Sequence, residues 1–157
     1  MSKKLHLTFS LIIIFFFNIS VLKADLLIPN ESILPDEVIK IQLVALMNND
    51  GDFKDSGIEQ TWNFAHPNNK KNTGPLPNFK MMIKGNSYQM LLNHLSHTIT
   101  NVGNSNKWAK FEVIILDKEK IYHKFNWQVE KYVEEGPLKD CWLTTMVSNP
   151  ISLGSSI

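Results

Sequence analysis

The hydrophobic and polar positions divide the chain into an apolar leader, a stretch with helical spacing and a stretch in which the two classes alternate. The leader, residues 1–24, has a short basic start, an apolar run over residues 9–17 and a small residue, Ala24, at its end. That order is typical of a secretory signal peptide. The apolar stretch 5–22 also approaches the length of a membrane-spanning helix, so an uncleaved signal anchor stays open as the alternative. We therefore expect an exported protein, periplasmic or secreted.

Helical spacing follows the leader and a lead-in over residues 25–34. Pro35 stands where a helix tolerates proline best, at its first position, and apolar residues recur at helical spacing from there to about Asn48. Shorter helical patterns cover residues 57–65 and 79–84. Three helices are therefore predicted in the first half of the chain.

The second half of the chain changes from a helical to an alternating period, which predicts strands. In the clearest strand Ile121, Phe125 and Val129 share one face, and polar residues occupy the other. In the last strand Leu143 and Thr145 are expected to face the same side as these apolar residues. Turn residues separate the four predicted strands, which cover residues 93–102, 107–117, 121–133 and 141–149.

Helices followed by antiparallel strands predict an α+β fold. Because one face of the sheet is apolar and the other polar, the N-terminal helices are expected to pack on one side of a curved, four-stranded antiparallel sheet. A cavity is expected between the first helix and this sheet. We expect a single domain over residues 35–149, and residues 150–157 are predicted to form a C-terminal tail.

Composition excludes one class of function. All 16 basic residues of the 157-residue chain are Lys. Cleavage after Ala24 would remove three of them and no acidic residue, leaving 13 basic against 15 acidic residues and a net charge of −2. Without Arg and without positive charge, the chain is not expected to bind nucleic acid. Cys141 is the only cysteine, so no internal disulfide forms; a buried thiol is expected, with a reactive thiol or an intermolecular bridge as alternatives.

Several short sequences resemble those of a known family. They include Phe-Ala-His-Pro at residues 64–67, Thr-Gly-Pro-Leu at 73–76 and Cys-Trp-Leu at 141–143, within a wider pattern over residues 35–149. On these residues the chain resembles the domain of unknown function 4864 family. The resemblance implies the cystatin-like cone architecture shared by nuclear transport factor 2, ketosteroid isomerase and scytalone dehydratase. Because that architecture hosts isomerases, dehydratases and non-catalytic binders, the resemblance implies no particular reaction.

Residues 66–78 contain three prolines and four asparagines, which predicts an ordered loop. Loops on a rigid scaffold often carry binding residues, so His66, Asn68 and Thr73 are candidate ligand-binding residues at the rim of the cavity. Trp127 is a fourth candidate, because a large side chain with one polar group can line such a cavity. The alternative is that the loop only covers the open end of the fold.

His97 and His123 fall on strand faces that otherwise carry apolar side chains. If the two rings approach one another, they form a candidate catalytic acid–base pair; the alternative is a hydrogen-bonded histidine near a strand end. No carboxylate is expected on these faces to orient either ring, which argues against catalysis. A zinc site containing His94 and His97 is not expected either, because residues three apart on a strand point to opposite faces.

These observations predict a protein that binds a small apolar or amphipathic ligand, or a protein partner, in the cavity without catalysis. An isomerase or lyase that uses His97 or His123 as acid or base is one alternative. A membrane-tethered accessory protein is another, and association with a membrane is expected only if the leader stays uncleaved. No metal or other cofactor is predicted.

Overall fold

The structure, a computed structural model, describes residues 25–155, so the predicted leader lies outside the described residues. The helices are α1 (Pro35–Met47), α2 (Ser56–Asn63), α3 (Pro67–Thr73) and α4 (Leu76–Lys84), followed by a 3₁₀ turn (Gln89–Leu91). The strands are β1 (Ser96–Asn104), β2 (Trp108–Leu116), β3 (Ile121–Lys131), β4 (Trp142–Val147) and β5 (Ile151–Ser155). None of the helices in this part of the chain has the length and apolar character needed to cross a membrane.

The predicted α+β fold is confirmed, because the helices pack against an antiparallel sheet. Strands β1 to β4 follow one another in spatial order as a meander. The C-terminal tail expected over residues 150–157 instead contains β5, which pairs with the first half of β3, while β4 pairs with the second half. Pro150 lies at the break between β4 and β5, where its missing N–H cannot continue the ladder.

The alternation predicted for β2 and β3 is confirmed, and their inward side chains form the centre of the core. Alternate residues from Ala109 to Ile115 in β2 and from Phe125 to Val129 in β3 are buried. Full burial of one side chain of this size contributes about 1.5–3 kcal/mol to stability. Helix α1 covers this face with the buried side chains Val38, Ile39, Leu43 and Leu46.

The prediction that Leu143 and Thr145 point to the inward face of the sheet is wrong, since Leu143 lies opposite Glu130 and Thr145 lies in a bulge. A bulge places Thr144 opposite Val129 and Met146 opposite Gln128, so Thr145 is the extra residue between them. The bulge moves Thr144 onto the buried face, where its exposed fraction is 3%. A prediction that assumes strict alternation along the strand cannot detect such an inserted residue.

Helix α2 approaches α1 closely at Gly57. A Cβ atom at this position would lie 2.1 Å from the backbone carbonyl oxygen of Ala45, so no side chain fits between the two helices. The close approach also brings Thr61, one turn further along α2, within hydrogen-bonding distance of Gln42 in α1.

The loop predicted over residues 66–78 is wrong, since this segment contains α3 and the start of α4. His66 caps α3, with its Nδ1 atom accepting a hydrogen bond from the Asn68 N–H at 3.1 Å. Pro67 and Pro77 both lie in the first turn of a helix, where the missing N–H is not needed. The composition that indicated a loop therefore marks two successive helix starts.

Candidate ligand cavity

A cavity of about 130 Å³ lies where the helices and the 3₁₀ turn meet β3 and β4. Helix α1 contributes Gln42 and Leu46, which share one helix face because they are four residues apart. Strand β3 contributes Trp127, and β4 contributes Thr144 and Val147. The cavity is thus enclosed by elements from both ends of the described chain.

The lining is mainly apolar and uncharged. Its apolar members are Leu46, Ala65, Phe79, Met82, Ile83, Leu91 and Val147. Its members with polar side-chain atoms are Gln42, Thr61, Asn69, Thr73, Tyr88, Trp127 and Thr144. Of the residues between 25 and 155, no Asp, Glu, Lys or His belongs to this lining. A charged ligand would therefore lose its hydration here without gaining an opposite charge.

A series of hydrogen bonds, which we call the polar relay, crosses the wall of the cavity. The Trp127 Nε1–H donates to Thr144 Oγ1 at 3.2 Å, and the Thr144 hydroxyl donates to Gln42 Oε1 at 2.7 Å. The Gln42 Nε2–H donates to the backbone carbonyl of Thr61 at 3.1 Å. All four residues are buried. The polar relay therefore joins α1, α2, β3 and β4 around the cavity.

The outer part of the lining is polar but neutral. Asn69, Thr73 and Tyr88 are partly exposed. The Tyr88 hydroxyl donates to the Val147 carbonyl at 3.2 Å, and the Thr73 hydroxyl donates to the Asn69 carbonyl at 3.0 Å. Burial raises the pKa of Tyr88 above its ordinary value of 10.0, so its phenol is uncharged at neutral pH.

Two of the four predicted ligand-binding residues, Thr73 and Trp127, line the cavity. His66 does not, because its ring packs edge-on against Tyr132 with the ring centroids 5.4 Å apart. Asn68 is exposed on α3 and also lies outside the lining. Ligand binding by any of the four stays a prediction, and the geometry favours Thr73 and Trp127.

Sequence reasoning missed the two central members of the polar relay, Gln42 and Thr144. Gln42 does carry a usable signal, because it is a polar residue between the apolar Ile41 and Leu43 on the stripe predicted to face the sheet. Thr144 carries none, because the bulge in β4 reverses the face that alternation assigns to it.

The expectation that no carboxylate orients His123 is wrong. His123 Nε2 lies 2.8 Å from Asp117 Oδ2, and both residues are buried. Asp117 shares the inward face with Ile115, two residues earlier. The backbone N–H groups of Glu119 and Ile121 donate to the other carboxylate oxygen. Desolvation acts to raise the pKa of Asp117, but the donors from Ile121, His123 and Glu119 outweigh it and lower that pKa.

His94 and His97 also meet, contrary to the expectation from strand geometry. Asn93 has a φ of 57°, and β1 begins only at Ser96, so His94 precedes the strand. His94 Nε2 lies 2.8 Å from His97 Nδ1, and His94 Nδ1 lies 2.7 Å from the Leu91 carbonyl oxygen. Because a carbonyl only accepts, Nδ1 of His94 carries a proton. In the neutral pair the Nδ1–H of His97 therefore donates to His94 Nε2.

The two histidine clusters, His94 with His97 and His123 with Asp117, do not combine into one acid–base pair. In the sheet His97 lies opposite Ile115, which lies opposite His123, so two strand spacings of roughly 10 Å in total separate the histidines. Neither cluster contributes to the cavity lining. Burial lowers the pKa of His94 and of His97, which keeps both rings neutral at neutral pH.

Metal and thiol chemistry receive no support from the described residues. Within residues 25–155 no three His, Cys, Asp or Glu side chains are grouped closely enough to hold a metal ion. Cys141 is buried, as predicted. Its burial, with a smaller contribution from the nearby Glu31 and Asp140, raises the pKa of the thiol, which opposes the activation that a nucleophilic cysteine needs.

A second concavity, a groove of about 470 Å³, lies on the surface between the lead-in, α1 and α2. Although it is larger than the cavity, several of its walls face solvent. Leu27 and Val44, which line it, are 54% and 41% exposed. Lys40 and Asp52 add charged groups to it. The enclosed cavity therefore provides the better-defined site for a small molecule.

Comparisons with protein-family models, with curated proteins and with solved structures gave no match for this chain. The resemblance to the domain of unknown function 4864 family, and the cone architecture that it implies, therefore stay predictions. The case for a function depends on the geometry of the cavity.

Proposed function

We propose that this protein binds a small, uncharged and mainly apolar ligand in the cavity beside Trp127. The observation that carries the proposal is a lining of seven apolar residues and seven residues with neutral polar groups, and no charged residue among those that the structure describes. That combination is usual in small-molecule sites, where apolar area provides affinity and a few polar atoms provide orientation.

The volume limits the enclosed part of the ligand to about one aromatic ring. A dry protein cavity of roughly 150 Å³ binds benzene, and this cavity measures about 130 Å³. A longer amphipathic ligand has to extend past Asn69 and Tyr88, which are the partly exposed members of the lining.

Binding without catalysis fits the lining better than catalysis does. A general acid or base needs a pKa near the working pH and contact with the reacting atoms. Tyr88 is the one ionisable side chain among the described residues of the lining, and burial moves its pKa further from neutrality.

The proposal is tested by thermal unfolding of the full chain with neutral and charged ligands of one size. Benzene, toluene and phenol should raise the melting temperature, whereas benzoate and benzylammonium should not. A ligand at 100 times its Kd stabilises the folded state by about 2.7 kcal/mol, which is easily measured. If no neutral compound of this size raises the melting temperature, the proposal is rejected.

A matched pair of variants locates the effect. Val147→Phe adds a ring to the cavity wall and should abolish the stabilisation by benzene. Val102→Phe makes the same change in β1, where Val102 is 60% exposed and outside the lining, and should leave the stabilisation unchanged. Equal responses of the two variants would place the bound ligand elsewhere on the protein.

A second candidate is an isomerase or lyase that uses a histidine, and the Asp117–His123 hydrogen bond favours it. A carboxylate that orients an imidazole is a recurring arrangement in acid–base catalysis. The test is exchange of the α-protons of a small cyclic ketone with deuterated solvent, followed by NMR. Acceleration that disappears in His123→Asn, or in His97→Asn, would support catalysis; no acceleration by the wild-type protein would reject this form of it.

We also propose that the protein works outside the cytoplasm, periplasmic or secreted. The support is the order of basic, apolar and small residues in residues 1–24. Mass spectrometry of the exported protein tests it, with a mature chain that begins near Asp25 as the expected result. An exported form that keeps residues 1–24 would instead favour the membrane-tethered accessory protein.

A further inference from the structure

The orientation of the Gln42 side-chain amide follows from its partners. The Trp127 indole can only donate, so Thr144 Oγ1 accepts from it and directs its own hydrogen to Gln42. The amide atom that receives this hydrogen must be oxygen. At the other end the Thr61 carbonyl can only accept, so the amide atom facing it must be nitrogen. Both ends of the polar relay therefore agree on the same orientation.

This orientation leaves one donor of Gln42 unused. The Nε2 atom carries two hydrogens, and one of them bonds to Thr61. Among residues 25–155 no further acceptor is bonded to Nε2. Gln42 is 1% exposed and belongs to the lining of the cavity. A buried N–H that makes no hydrogen bond is unfavourable, and an acceptor atom of a ligand would relieve that cost.

Trp127 and Thr144 have no free hydrogen-bond donor to offer a ligand. The single N–H of Trp127 and the single hydroxyl hydrogen of Thr144 are both used inside the polar relay. Gln42 Oε1 keeps a free lone pair, but an under-used carbonyl oxygen is tolerated more readily than an unpaired N–H. At these three residues, a ligand that carries a hydrogen-bond acceptor therefore fits better than a ligand that carries a donor.

The geometry points to a ligand that carries a neutral hydrogen-bond acceptor, such as a carbonyl oxygen or a ring nitrogen, at its buried end, received by the second Nε2–H of Gln42. This inference rests on the proposed function, because it specifies the ligand of the same cavity. It narrows the class from small apolar molecules to small rings or short chains with one acceptor and no charge. A molecule that offers only C–H groups leaves the Gln42 donor unpaired.

The test compares benzene with pyridine, which have the same shape and differ by one acceptor, on the full chain at neutral pH where pyridine is uncharged. The ratio of the two dissociation constants is measured for wild type and for Gln42→Met, a variant of similar volume that lacks the donor. A hydrogen bond of ordinary net strength predicts that pyridine binding weakens about three- to tenfold in the variant relative to benzene binding. An unchanged ratio would overturn the inference.

A second measurement does not depend on the stability of the variant. The Gln42 side-chain N–H signals in the NMR spectrum of the wild-type chain should shift when pyridine binds, with one of the two hydrogens moving more than the other. Benzene should shift them far less. If both compounds bind and produce equal shifts, the acceptor inference fails while the proposed function stands. If neither compound binds, both fail.

Discussion

The cavity and the two histidine clusters all hold buried polar side chains, but they do so by different means. In the polar relay Gln42 and Thr144 are 102 residues apart in sequence and meet only because the whole fold brings α1 to β4. In the histidine clusters the hydrogen-bonded side chains are three or six residues apart. The polar relay consists of amide, hydroxyl and indole groups, whereas the histidine clusters contain ionisable side chains.

The difference separates structural from functional candidates. A contact between residues three or six apart joins neighbouring parts of one segment and stabilises the turn between them. A contact over 102 residues exists only in the complete fold, and here it surrounds a cavity. Changes to the polar relay should therefore affect global stability and ligand binding together. Changes to the histidine clusters should mainly affect the dependence of stability on pH.

The largest effect is expected from Thr144→Val, which keeps the shape of the side chain and removes its hydroxyl. The change leaves the Trp127 indole N–H and the Gln42 carbonyl oxygen without their partner in a buried site. The expected loss in the free energy of unfolding is about 2–4 kcal/mol, measured by urea denaturation. Thr98→Val, at an exposed position in β1, is the control and should change stability by less than about 0.5 kcal/mol. Equal losses in the two variants would contradict the importance of the polar relay.

A smaller loss, about 1–2 kcal/mol at neutral pH, is expected from Asp117→Asn. The amide oxygen can still accept from the N–H groups of Glu119 and Ile121, but its NH₂ group cannot accept from His123. The folded state lowers the pKa of Asp117, so its stabilisation is present above the ordinary Asp pKa and is lost as the pH falls below it. The variant should therefore lose less stability on acidification than wild type.

The control for Asp117→Asn is Asp52→Asn, which changes an exposed acid in the turn between α1 and α2. In denaturant titrations at several pH values, the free energy of unfolding of Asp52→Asn should fall with decreasing pH as it does for wild type. If Asp117→Asn also matches wild type, the carboxylate does not stabilise the β2–β3 turn in the way described.

The fold class and most of the strands of the sheet can be predicted from the sequence. Helix α1 and the inward faces of β2 and β3 follow directly from apolar spacing, because burial of one face is what selects the period. The pattern at Pro67 and Pro77 predicts a loop although helices begin there, because proline is favoured both in turns and in the first turn of a helix. The prediction of a tail fails at β5, where Ile151 and Leu153 alternate with Ser152 and Gly154 but all five residues are exposed, so no buried face marks the strand.

The site was harder to predict than the fold, for a physical reason. The cavity exists because the side chains at one end of the core do not fill the space between the elements. The local pattern of apolar and polar residues does not predict such incomplete packing. The predicted loop supplies Thr73, which lines the cavity, but also His66, which caps α3 instead; Trp127, predicted from its side-chain chemistry, lines the cavity. Alternation already places Asp117 on the inward face, two residues after Ile115, so the Asp117–His123 contact follows from the register once the β2–β3 pairing is known.

A weaker pH effect is expected from the histidine pair. Burial lowers the pKa of His94 and of His97, and the positive charge of Lys40 further lowers that of His97. A histidine whose pKa falls on folding takes up its proton more readily in the unfolded chain, so stability should decline as the pH drops below about 6.5. Replacing His97 by Gln should make this decline shallower in urea titrations between about pH 7.5 and pH 5.5.

The control for His97→Gln is Thr98→Gln, its exposed neighbour in β1, which should keep the wild-type slope. Only the slope against pH is compared, since the loss of a hydrogen bond to His94 also lowers stability at every pH. A steeper decline in His97→Gln than in wild type would mean that the pair gains, rather than loses, stability on protonation.

The smallest effect, and the sharpest contrast with the histidine clusters, is expected for the pH dependence of ligand binding. No group of the described lining titrates between about pH 6 and about pH 9, because Tyr88 has a raised pKa and the other polar members are amides, hydroxyls and an indole. The affinity for benzene, which does not titrate either, should change less than about twofold over this range in calorimetric titrations. A fall in affinity near the pKa of histidine would show that one of the histidine clusters is coupled to the cavity. In that case the division between a neutral binding region and a titrating structural region would be wrong, and catalysis by His97 or His123 would become the better-supported function.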